Sequence, residues 1–303
     1  MSTYCDRRKT TSNQLNRLRL AVIHRLIACI ILFTVIGILI WVKKDALVAF
    51  SAFIMLAPLL TWLVIRPSRE RYRAAYKYAF VTDALESLFT DVVYKSWEGI
   101  PRETIVATQM MSMGTSFHAE DYVRARYRDI PFEQSDVLIH QSTGKSVVTI
   151  FRGRWMIFDF NKPFRTNFQI VQKGFPSAKH RRFFGAEDSL FQKISMESET
   201  FNEEFRVYAQ NAHDAFYVIT PALMERLQFL VHHCEGRLMF CFAGKRLHIA
   251  IHDNRDYFEP GSIFQKIEPQ KATWKVRSEL SAVTRLISEL SLDNDLFKRE
   301  DSI

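Results

Sequence analysis

The sequence is poor in cysteine and in recognisable reactive motifs. Its four cysteines are scattered along 303 residues, at Cys5, Cys29, Cys234 and Cys241. Such spacing does not build a disulfide framework, and it agrees with a reducing compartment. The chain also lacks a nucleophile elbow, a Cys–His pair and a glycine-rich cofactor fingerprint. These absences give no support to the enzyme classes that short motifs reveal, and no cofactor is predicted.

Long apolar runs are present near the N-terminus. The stretch LIACIILFTVIGILIWVKKDALVAFSAFIMLAPLLTWLVI is apolar almost throughout. A helix that spans a bilayer needs roughly 20 mostly apolar residues, and residues 20–42 and 46–65 both reach that length. A signal peptide would have a shorter apolar region and a small-residue cleavage site, and a buried hairpin would show polar faces at helical spacing. The sequence therefore predicts a transmembrane helical hairpin over residues 20–65.

The basic residues around the hairpin predict its orientation. Six Lys or Arg lie before residue 26, where the uninterrupted apolar stretch begins, and five follow the second run, whereas the turn holds only Lys43 and Lys44. Lys and Arg near membrane helices stay on the cytoplasmic side. We therefore expect a multi-pass protein with both termini in the cytoplasm and a minimal turn on the far side.

The positive net charge of the chain belongs to the membrane flanks. Residues 1–77 hold 13 Lys or Arg and 3 Asp or Glu, a net charge of +10, whereas residues 78–303 hold 28 and 30, a net charge of −2. A nucleic-acid-binding protein would carry its positive excess on the folded domain. The charge distribution therefore argues against a nucleic-acid partner and favours the lipid bilayer as one.

Seven arginines are predicted to lie at the membrane interface, where each basic side chain is attracted to anionic headgroups by about 1 kcal/mol. They are Arg17, Arg19, Arg25, Arg66, Arg69, Arg71 and Arg73. Recognition of a specific lipid is one interpretation of this group. Ordinary orientation and anchoring is the other, and it is favoured.

The remainder of the chain predicts an α+β domain. Residues 1–19 form a basic cytoplasmic segment, and residues 66–303 form a domain with no Gly, Ser or Pro-rich linker inside it. Helical spacing of apolar residues predicts helices over 68–92, 102–111, 221–234 and 272–290, and β-prone runs between them predict antiparallel strands. The apolar stripe of the last helix must be covered, either by its own domain, which is favoured, or by a partner.

Three groups of polar residues are considered as possible phosphate-binding or metal-binding sites. STGKS, at residues 142–146, lacks the first glycine of a phosphate-binding loop and precedes a β-prone run, so it is interpreted as a hairpin turn. His248 and His252 lie on one face of a strand, roughly 13 Å apart, and are expected to face solvent. The group His232, His233, Cys234 and Cys241 lacks the tight, convergent spacing of a zinc site, so no metal is predicted.

The segment FHAED places a histidine beside two carboxylates. His118, Glu120 and Asp121 could transfer protons in a hydrolase. The alternative is an exposed polar turn that precedes a strand, and this interpretation is favoured.

The segment ESETFNEEFRVYAQNAHDAFYVITPALMERL, residues 197–227, resembles a bacterial family of membrane-anchored proteins, the domain-of-unknown-function family 3137. Supporting pieces are Glu120-Asp121, the Phe151-Arg152-Gly153 strand and Phe258-Glu259-Pro260, so that the resemblance runs from the hairpin to about residue 264. It implies a bacterial host and attachment to the cytoplasmic membrane, and it implies no reaction. The family-like positions of the main segment are typical of architecture: Phe201 and Phe205 one helical turn apart, and Thr220-Pro221 at the start of a helix.

Taken together, these patterns favour a membrane-anchored binding or scaffold module that faces the cytoplasm, with a membrane or cytoplasmic protein as partner. The alternative is a membrane-tethered hydrolase that uses His118, Glu120 and Asp121. An enzyme is the less favoured of the two.

Overall fold

The structure, a computed structural model, describes residues 2–42, 47–159, 164–175 and 191–290. The Lys43-Lys44 turn of the predicted hairpin and the last 13 residues of the chain lie outside this range. Two compact units are present. The first comprises residues 1–84 and 258–277, and the second comprises residues 85–257 and 278–303.

Nine helical segments are described. They are α1 (Ser2–Val42), α2 (Leu47–Tyr76), a π-helical turn (Lys77–Val81), α3 (Thr82–Leu88), α4 (Arg102–Val106), α5 (Glu199–Glu204), α6 (Ala212–Val218), α7 (Pro221–His233) and α8 (Pro269–Glu289). The helix predicted over 68–92 therefore ends at Leu88, and Val92 lies in a strand. The helix predicted over 102–111 also ends early, at Val106.

Helices α1 and α2 pack against each other in the first unit. Phe33 contacts Phe53 edge to face with ring centroids 5.9 Å apart, and Trp41 contacts Phe50 at 5.4 Å. Arg25 donates a hydrogen bond to Ser68. Residues Ser12–Val42 and Phe50–Leu88 are long and apolar enough to cross a membrane.

The outer surfaces of these helices are apolar. Large hydrophobic side chains are exposed along both: Leu20, Ile27, Ile30, Ile31, Leu32, Val35, Ile38, Leu39, Trp41, Val42, Ile54, Met55, Leu56, Leu59, Leu60, Trp62, Leu63 and Val64. A contiguous apolar surface of this extent marks a membrane or protein contact. Together with the length of the helices, it indicates membrane association.

The segment that begins at Phe258 completes the first unit through polar contacts. Glu259 accepts a hydrogen bond from Nε of Arg73 at 2.7 Å, and its Oε1 lies 3.2 Å from Nζ of Lys77. Burial alone would raise the pKa of Glu259, but the hydrogen bonds and positive charges of Arg73 and Lys77 outweigh it and lower that pKa. Further along, Ile267 accepts from and donates to the side chain of Asn16.

The second unit is built on an antiparallel sheet. Its strands are β1 (Thr90–Lys95), β2 (Ser116–Tyr127), β3 (Ile130–Ser142), β4 (Val147–Asp159), β5 (Phe168–Gln172), β6 (Gln192–Ile194), β7 (Phe205–Ala209), β8 (Arg237–Ala243) and β9 (Arg246–His252). Their order in the sheet is β1-β2-β3-β4-β9-β8-β5-β7-β6, and each pair is antiparallel. The predicted α+β class is confirmed.

The hairpin turn predicted at STGKS is confirmed, and a second hairpin joins β8 and β9. Strands β3 and β4 pair with Ser142 opposite Val147, so that Gly144 and Lys145 lie in the connecting turn and no helix follows them. Strands β8 and β9 pair with Ala243 opposite Arg246, across Gly244 and Lys245. Gly144 has a φ of +79° and Gly244 a φ of +58°, values that favour glycine in tight turns.

Buried side chains lie on both faces of the central strands. Strand β4 is buried from Ile150 to Phe158 except at Arg152, and β9 is buried from Leu247 to Ile251. Buried and exposed side chains therefore do not alternate along these strands, because both faces of the sheet are covered. His248, expected to face solvent, is only 4% exposed, and its Nδ1 lies 3.3 Å from the indole nitrogen of Trp155, which donates to it. Burial, reinforced by Arg246, lowers the pKa of His248 to about 4.

The family-like segment forms well-capped helices, as its sequence predicts. Thr220 accepts a hydrogen bond from the backbone of Leu223, and Pro221 occupies the first turn of α7. The rings of Phe201 and Phe205 stack at 4.7 Å, although Phe205 already lies in β7. These contacts are structural and involve no reactive group.

The C-terminal part of α8 docks on its own unit, which confirms the favoured expectation. Leu280, Val283 and Ile287 are fully buried. Arg285 donates to the carbonyl of His233, at the end of α7. Trp274, nearer the start of the helix, is exposed.

Candidate functional site

A bulge in β2 gives Glu120 and Asp121, two of the three candidate residues in the FHAED segment, different orientations. The β2–β3 register runs Glu120 opposite Asp136 and then Val123 opposite Gln134, so that an extra residue is accommodated in β2. Asp121 takes a φ of +59° at this bulge. A bulge re-aims side chains, and here it separates Glu120 from Asp121.

His118 and Glu120 are brought together, and Asp121 is not. The Nε2 of His118 lies 4.0 Å from Oε1 of Glu120. Asp121 is buried, and its Oδ1 accepts a 2.6 Å hydrogen bond from the hydroxyl of Tyr94. The three residues lie within β2 itself rather than in a turn before it, so that interpretation of the segment was wrong.

A small cavity lies beside His118 and Glu120. Its lining residues are His118, Glu120, Asp136, Val137, Leu138, Arg152, Arg255 and Asp256. The volume is about 40 Å³, which suits one or two waters and falls far below the roughly 300–1,000 Å³ of a small-molecule pocket. None of these described lining residues is a Ser, Thr or Cys. The cavity therefore offers acids and bases but no side-chain hydroxyl or thiol nucleophile.

Asp136 forms the buried wall of this cavity. Its Oδ2 accepts a 2.6 Å hydrogen bond from the backbone nitrogen of Tyr257. Burial raises the pKa of Asp136 well above its ordinary value, and the charge of Arg154, which faces it on β4, opposes that rise. Asp136 therefore binds its proton more tightly in the folded chain than in the unfolded one.

Arg154 is a second buried ionisable group beside Asp136 and is only 1% exposed. Its guanidinium stacks over the ring of Tyr257, 3.7 Å from the centroid, and Nη1 donates a 2.6 Å hydrogen bond to the carbonyl of Glu279 in α8. The Nε and Nη2 atoms are buried without a hydrogen-bond partner among the described atoms. Because arginine cannot lose its proton in proteins, this side chain places a permanent charge inside the unit.

Sequence reasoning missed Asp136, Arg154 and Tyr257. The available signal was FRGRWMIF, in which two arginines interrupt an otherwise apolar strand. A charge at a buried strand position requires a partner on the neighbouring strand. The register that supplies Asp136 as this neighbour is set by the whole sheet and cannot be read locally.

The other histidines and cysteines considered for a metal are distributed over several elements. His232 and His233 contact carbonyls of their own helix, at Gln228 and Phe229. Cys241 is fully buried in β8 and contacts the carbonyl of Thr108 at 3.7 Å.

The seven arginines predicted at the membrane interface fall into two groups. Arg17, Arg25, Arg66, Arg69 and Arg71 are exposed. Arg19 is buried and donates to the carbonyl of Ile263, while Arg73 is bound to Glu259. The role of all seven at a lipid surface stays a prediction.

Comparison with known families supports the resemblance stated above. The family model described as "Protein of unknown function (DUF3137)" matches residues 149–292, just under half of the chain. Over these residues the chain is similar to the DUF3137 family. The DUF3137 segment begins in β4 and contains Phe201, Phe205, Thr220 and Pro221, whereas the Glu120-Asp121 piece of the resemblance precedes it.

Other comparisons add little to the DUF3137 assignment. No curated protein matches the chain. The crystal structure of the mycobacterial trehalose monomycolate transport factor A, TtfA, is similar with a TM-score of 0.35 and 10% sequence identity, covering 76% of this chain and 96% of that one. A similarity of this size carries no functional conclusion.

Within the DUF3137 segment, one glycine has a clear structural reason. Gly153 lies where β4 first pairs with β9, opposite His252, and a Cβ at this position would lie 2.0 Å from the carbonyl oxygen of Ile251. Only glycine allows the two backbones to approach so closely. The Phe151-Arg152-Gly153 motif therefore maintains the junction that places Arg152 and Arg154 beside the cavity.

Proposed function

We propose that this protein is a multi-pass binding or scaffold module of the bacterial cytoplasmic membrane, with both termini in the cytoplasm. The observation that carries the proposal is the exposed apolar surface of α1 and α2. Buried in a bilayer, that surface anchors the chain, and anchoring raises the local concentration of the folded part near a membrane or membrane-bound partner.

The second unit supports a binding role over catalysis. Its cavity beside Glu120 is too small for a substrate, and the buried side chains of Asp136 and Arg154 contact the protein's own backbone and rings. The near-neutral charge of residues 78–303 favours a protein partner over nucleic acid. Crosslinking in cells, followed by pull-down of the detergent-solubilised full chain, is expected to recover a defined membrane or cytoplasmic protein. Recovery of lipid alone would contradict the scaffold proposal.

The topology is directly testable. A reporter that is active only outside the cytoplasm should be silent when it is fused after Ile303, because eleven flanking Lys or Arg oppose two in the turn. A second reporter, active only inside the cytoplasm, should be active at the same position. The opposite pair of results would refute the proposed orientation while leaving membrane insertion intact.

A membrane-tethered hydrolase is the second candidate. The observation that favours it is the cavity that gathers His118 and Glu120 with the raised-pKa carboxyl of Asp136. Such a set could relay protons to a bound water. Asp121, part of the original motif, is bound to the hydroxyl of Tyr94, and its charge adds to the rise in the pKa of Asp136.

We expect His118→Ala and Glu120→Gln to leave the ability to complement a deletion strain unchanged, because His118 is exposed and glutamine keeps the size of Glu120. Asp121→Asn should act only through folding, since it weakens one buried hydrogen bond. The measurement is complementation at matched membrane expression. Complete loss of complementation by a folded His118→Ala variant would favour the hydrolase.

A further inference from the structure

The hairpin of β3 and β4 extends past the end of β9. Strand β4 begins at Val147, whereas its pairing with β9 begins only at Gly153. Among the described residues, no strand therefore pairs with the first part of β4 on the side opposite β3. The side chains of Val147 and Val148 are 66% and 47% exposed. An open strand edge of this kind is a template for pairing with another strand.

The hydrogen bonds of β3 show which backbone groups of β4 point to the open side. Ser142 donates its backbone N–H to the hydroxyl of Thr115, and the carbonyl of His140 accepts from the backbone of Thr115. Both residues of β3 therefore direct their backbone groups toward β2. Their partners across the hairpin are Val147 and Thr149. Opposed residues that do not bond each other direct their N–H and C=O groups outward, so Val147 and Thr149 present donors and acceptors at the open side.

The other end of this stretch agrees with that direction. The carbonyl of Arg152 accepts from the backbone of Asn254, and its N–H donates to Nδ1 of His252. Arg152 therefore also points away from β3, but its backbone groups are already bonded. The β3–β4 register includes one extra residue of β4 just after Thr149, a bulge that ends the regular pairing. The open backbone groups are thus confined to residues 147–149, called here the β4 edge.

The β4 edge lacks the side chains that protect exposed strands. Residues 146–151 read SVVTIF and contain neither a charge nor a proline. Proteins prevent unwanted pairing at an edge with charged side chains, proline or bulges, and here the bulge lies beyond the open groups. An uncharged run of β-branched side chains instead favours pairing.

A second copy of the β4 edge would satisfy these groups. With a two-fold axis at Val148, Val147 of one copy lies opposite Thr149 of the other, and the reverse. Each of these two pairs joins residues with outward backbone groups, so each pair exchanges both of its hydrogen bonds. β-branched side chains that lie directly opposite each other add to the stability of the pair. The Lys145 residues of the two copies lie at opposite ends of the paired segment, so like charges do not face each other.

We propose that the β4 edge joins two copies of this chain, paired antiparallel about a two-fold axis at Val148. Any extended peptide could bond the backbone groups, but a second copy also supplies an uncharged edge of the same length and the matched β-branched pairs. The contact is small and needs a high local concentration of the chain, which membrane anchoring provides. In this respect the inference rests on the proposed function.

Cysteine substitutions on the β4 edge test the two-fold pairing. The Cα atoms of Val148 in the two copies would lie about 4.5 Å apart, inside the range of about 4.4–6.8 Å that a disulfide spans. The two Val147 residues would lie diagonally, about 7–8 Å apart and outside that range. In native membranes treated with a mild oxidant, Val148→Cys should form at least about tenfold more disulfide-linked dimer than Val147→Cys. The wild-type chain gives the background from its own cysteines.

A mixed experiment tests the register. A chain that carries Val147→Cys is co-expressed with a differently tagged chain that carries Thr149→Cys. These positions face each other across the two-fold axis, so the mixed pair should form a disulfide. Each of the two variants expressed alone should stay near the background.

Thr149→Pro tests the contribution of the backbone. The N–H of Thr149 points away from β3, and proline is tolerated at such an edge position. The substitution should leave the unfolding temperature unchanged and lower the dimer formed by Val148→Cys by about fivefold or more. If the proline variant unfolds, Val148→Lys keeps the backbone intact and places two like charges opposite each other. It should then abolish the disulfide of the mixed Val147→Cys and Thr149→Cys pair.

The results separate this inference from its rivals and from the proposed function. Equal dimer yields from Val147→Cys and Val148→Cys would overturn the two-fold register, and background yields from both would overturn the contact. A disulfide between Val148→Cys and a different protein would assign the β4 edge to a strand of that protein. Val148→Cys dimers in a chain that a carbonate wash removes from the membrane would leave the contact standing and overturn the anchored module.

Discussion

Leu280→Asp and Ile287→Asp are each expected to destabilise the protein by about 4 kcal/mol or more, an effect of the size found when an unpaired charge is buried. Both side chains are fully buried in the second unit. An aspartate there could avoid ionisation only by taking up a proton, which costs free energy at neutral pH. Thermal unfolding of the full chain in detergent, followed by near-ultraviolet circular dichroism, measures the loss.

Ser281→Asp is the matched control for this experiment. Ser281 lies on the same helical turn as Leu280 but is exposed. Its substitution should change stability by no more than about 0.5 kcal/mol. If Leu280→Asp and Ser281→Asp unfolded at the same temperature, the stripe of α8 would not be part of the core.

The elements that sequence predicts well are those specified by local chemistry. The two membrane-length helices can be predicted from the length of the apolar runs alone. The start of α7 can be predicted from Thr220 and Pro221, which stabilise the first turn of that same helix. The β8–β9 hairpin follows from two β-prone runs separated by Gly244. In each case the deciding residues lie within a few positions of the structure they determine.

The elements that sequence misses depend on distant partners. His248 is buried because both faces of the sheet are covered. A strand in that position shows no alternation of polar and apolar residues from which its buried face could be predicted. The bulge that separates Glu120 from Asp121 is defined by the register of β2 with β3. The contacts of Glu259 and Ile267 with α1 and α2 join residues about 190 to 250 positions apart, and no local pattern marks them.

The candidate site was therefore half predictable. His118 and Glu120 were chosen because a base beside an acid can transfer protons, and the structure places both at one cavity. Asp136 and Arg154 could be identified only from the β3–β4 register, which places them opposite each other. Residues that set the electrostatics of a site from an adjacent strand are visible only when the pairing is known.

Arg154→Ala is expected to destabilise the protein by about 3–5 kcal/mol, the range found when a large buried side chain is truncated to alanine. The substitution removes the stacking on Tyr257 and the bond to the carbonyl of Glu279, and it leaves a cavity where the long side chain packed. It also removes the positive charge that holds down the pKa of Asp136. Unfolding of the full chain in detergent, at several pH values, gives the measurement.

Asp136→Asn is the control that isolates the charge of the partner. Because the pKa of Asp136 is raised in the folded state, the wild-type carboxyl contributes stability at low pH and loses it as pH rises through that pKa. The amide imitates the protonated acid, so Asp136→Asn should be at least as stable as the wild type at neutral pH and should lack this fall with rising pH. A large loss of stability at neutral pH in Asp136→Asn, equal to that of Arg154→Ala, would mean that Asp136 is ionised and that the pair is an ordinary buried salt bridge. We expect Arg154→Ala to lose much stability and Asp136→Asn to lose little. This contrast would mean that Arg154 stabilises the fold through its contacts with the surrounding backbone and rings rather than as the counter-ion of Asp136.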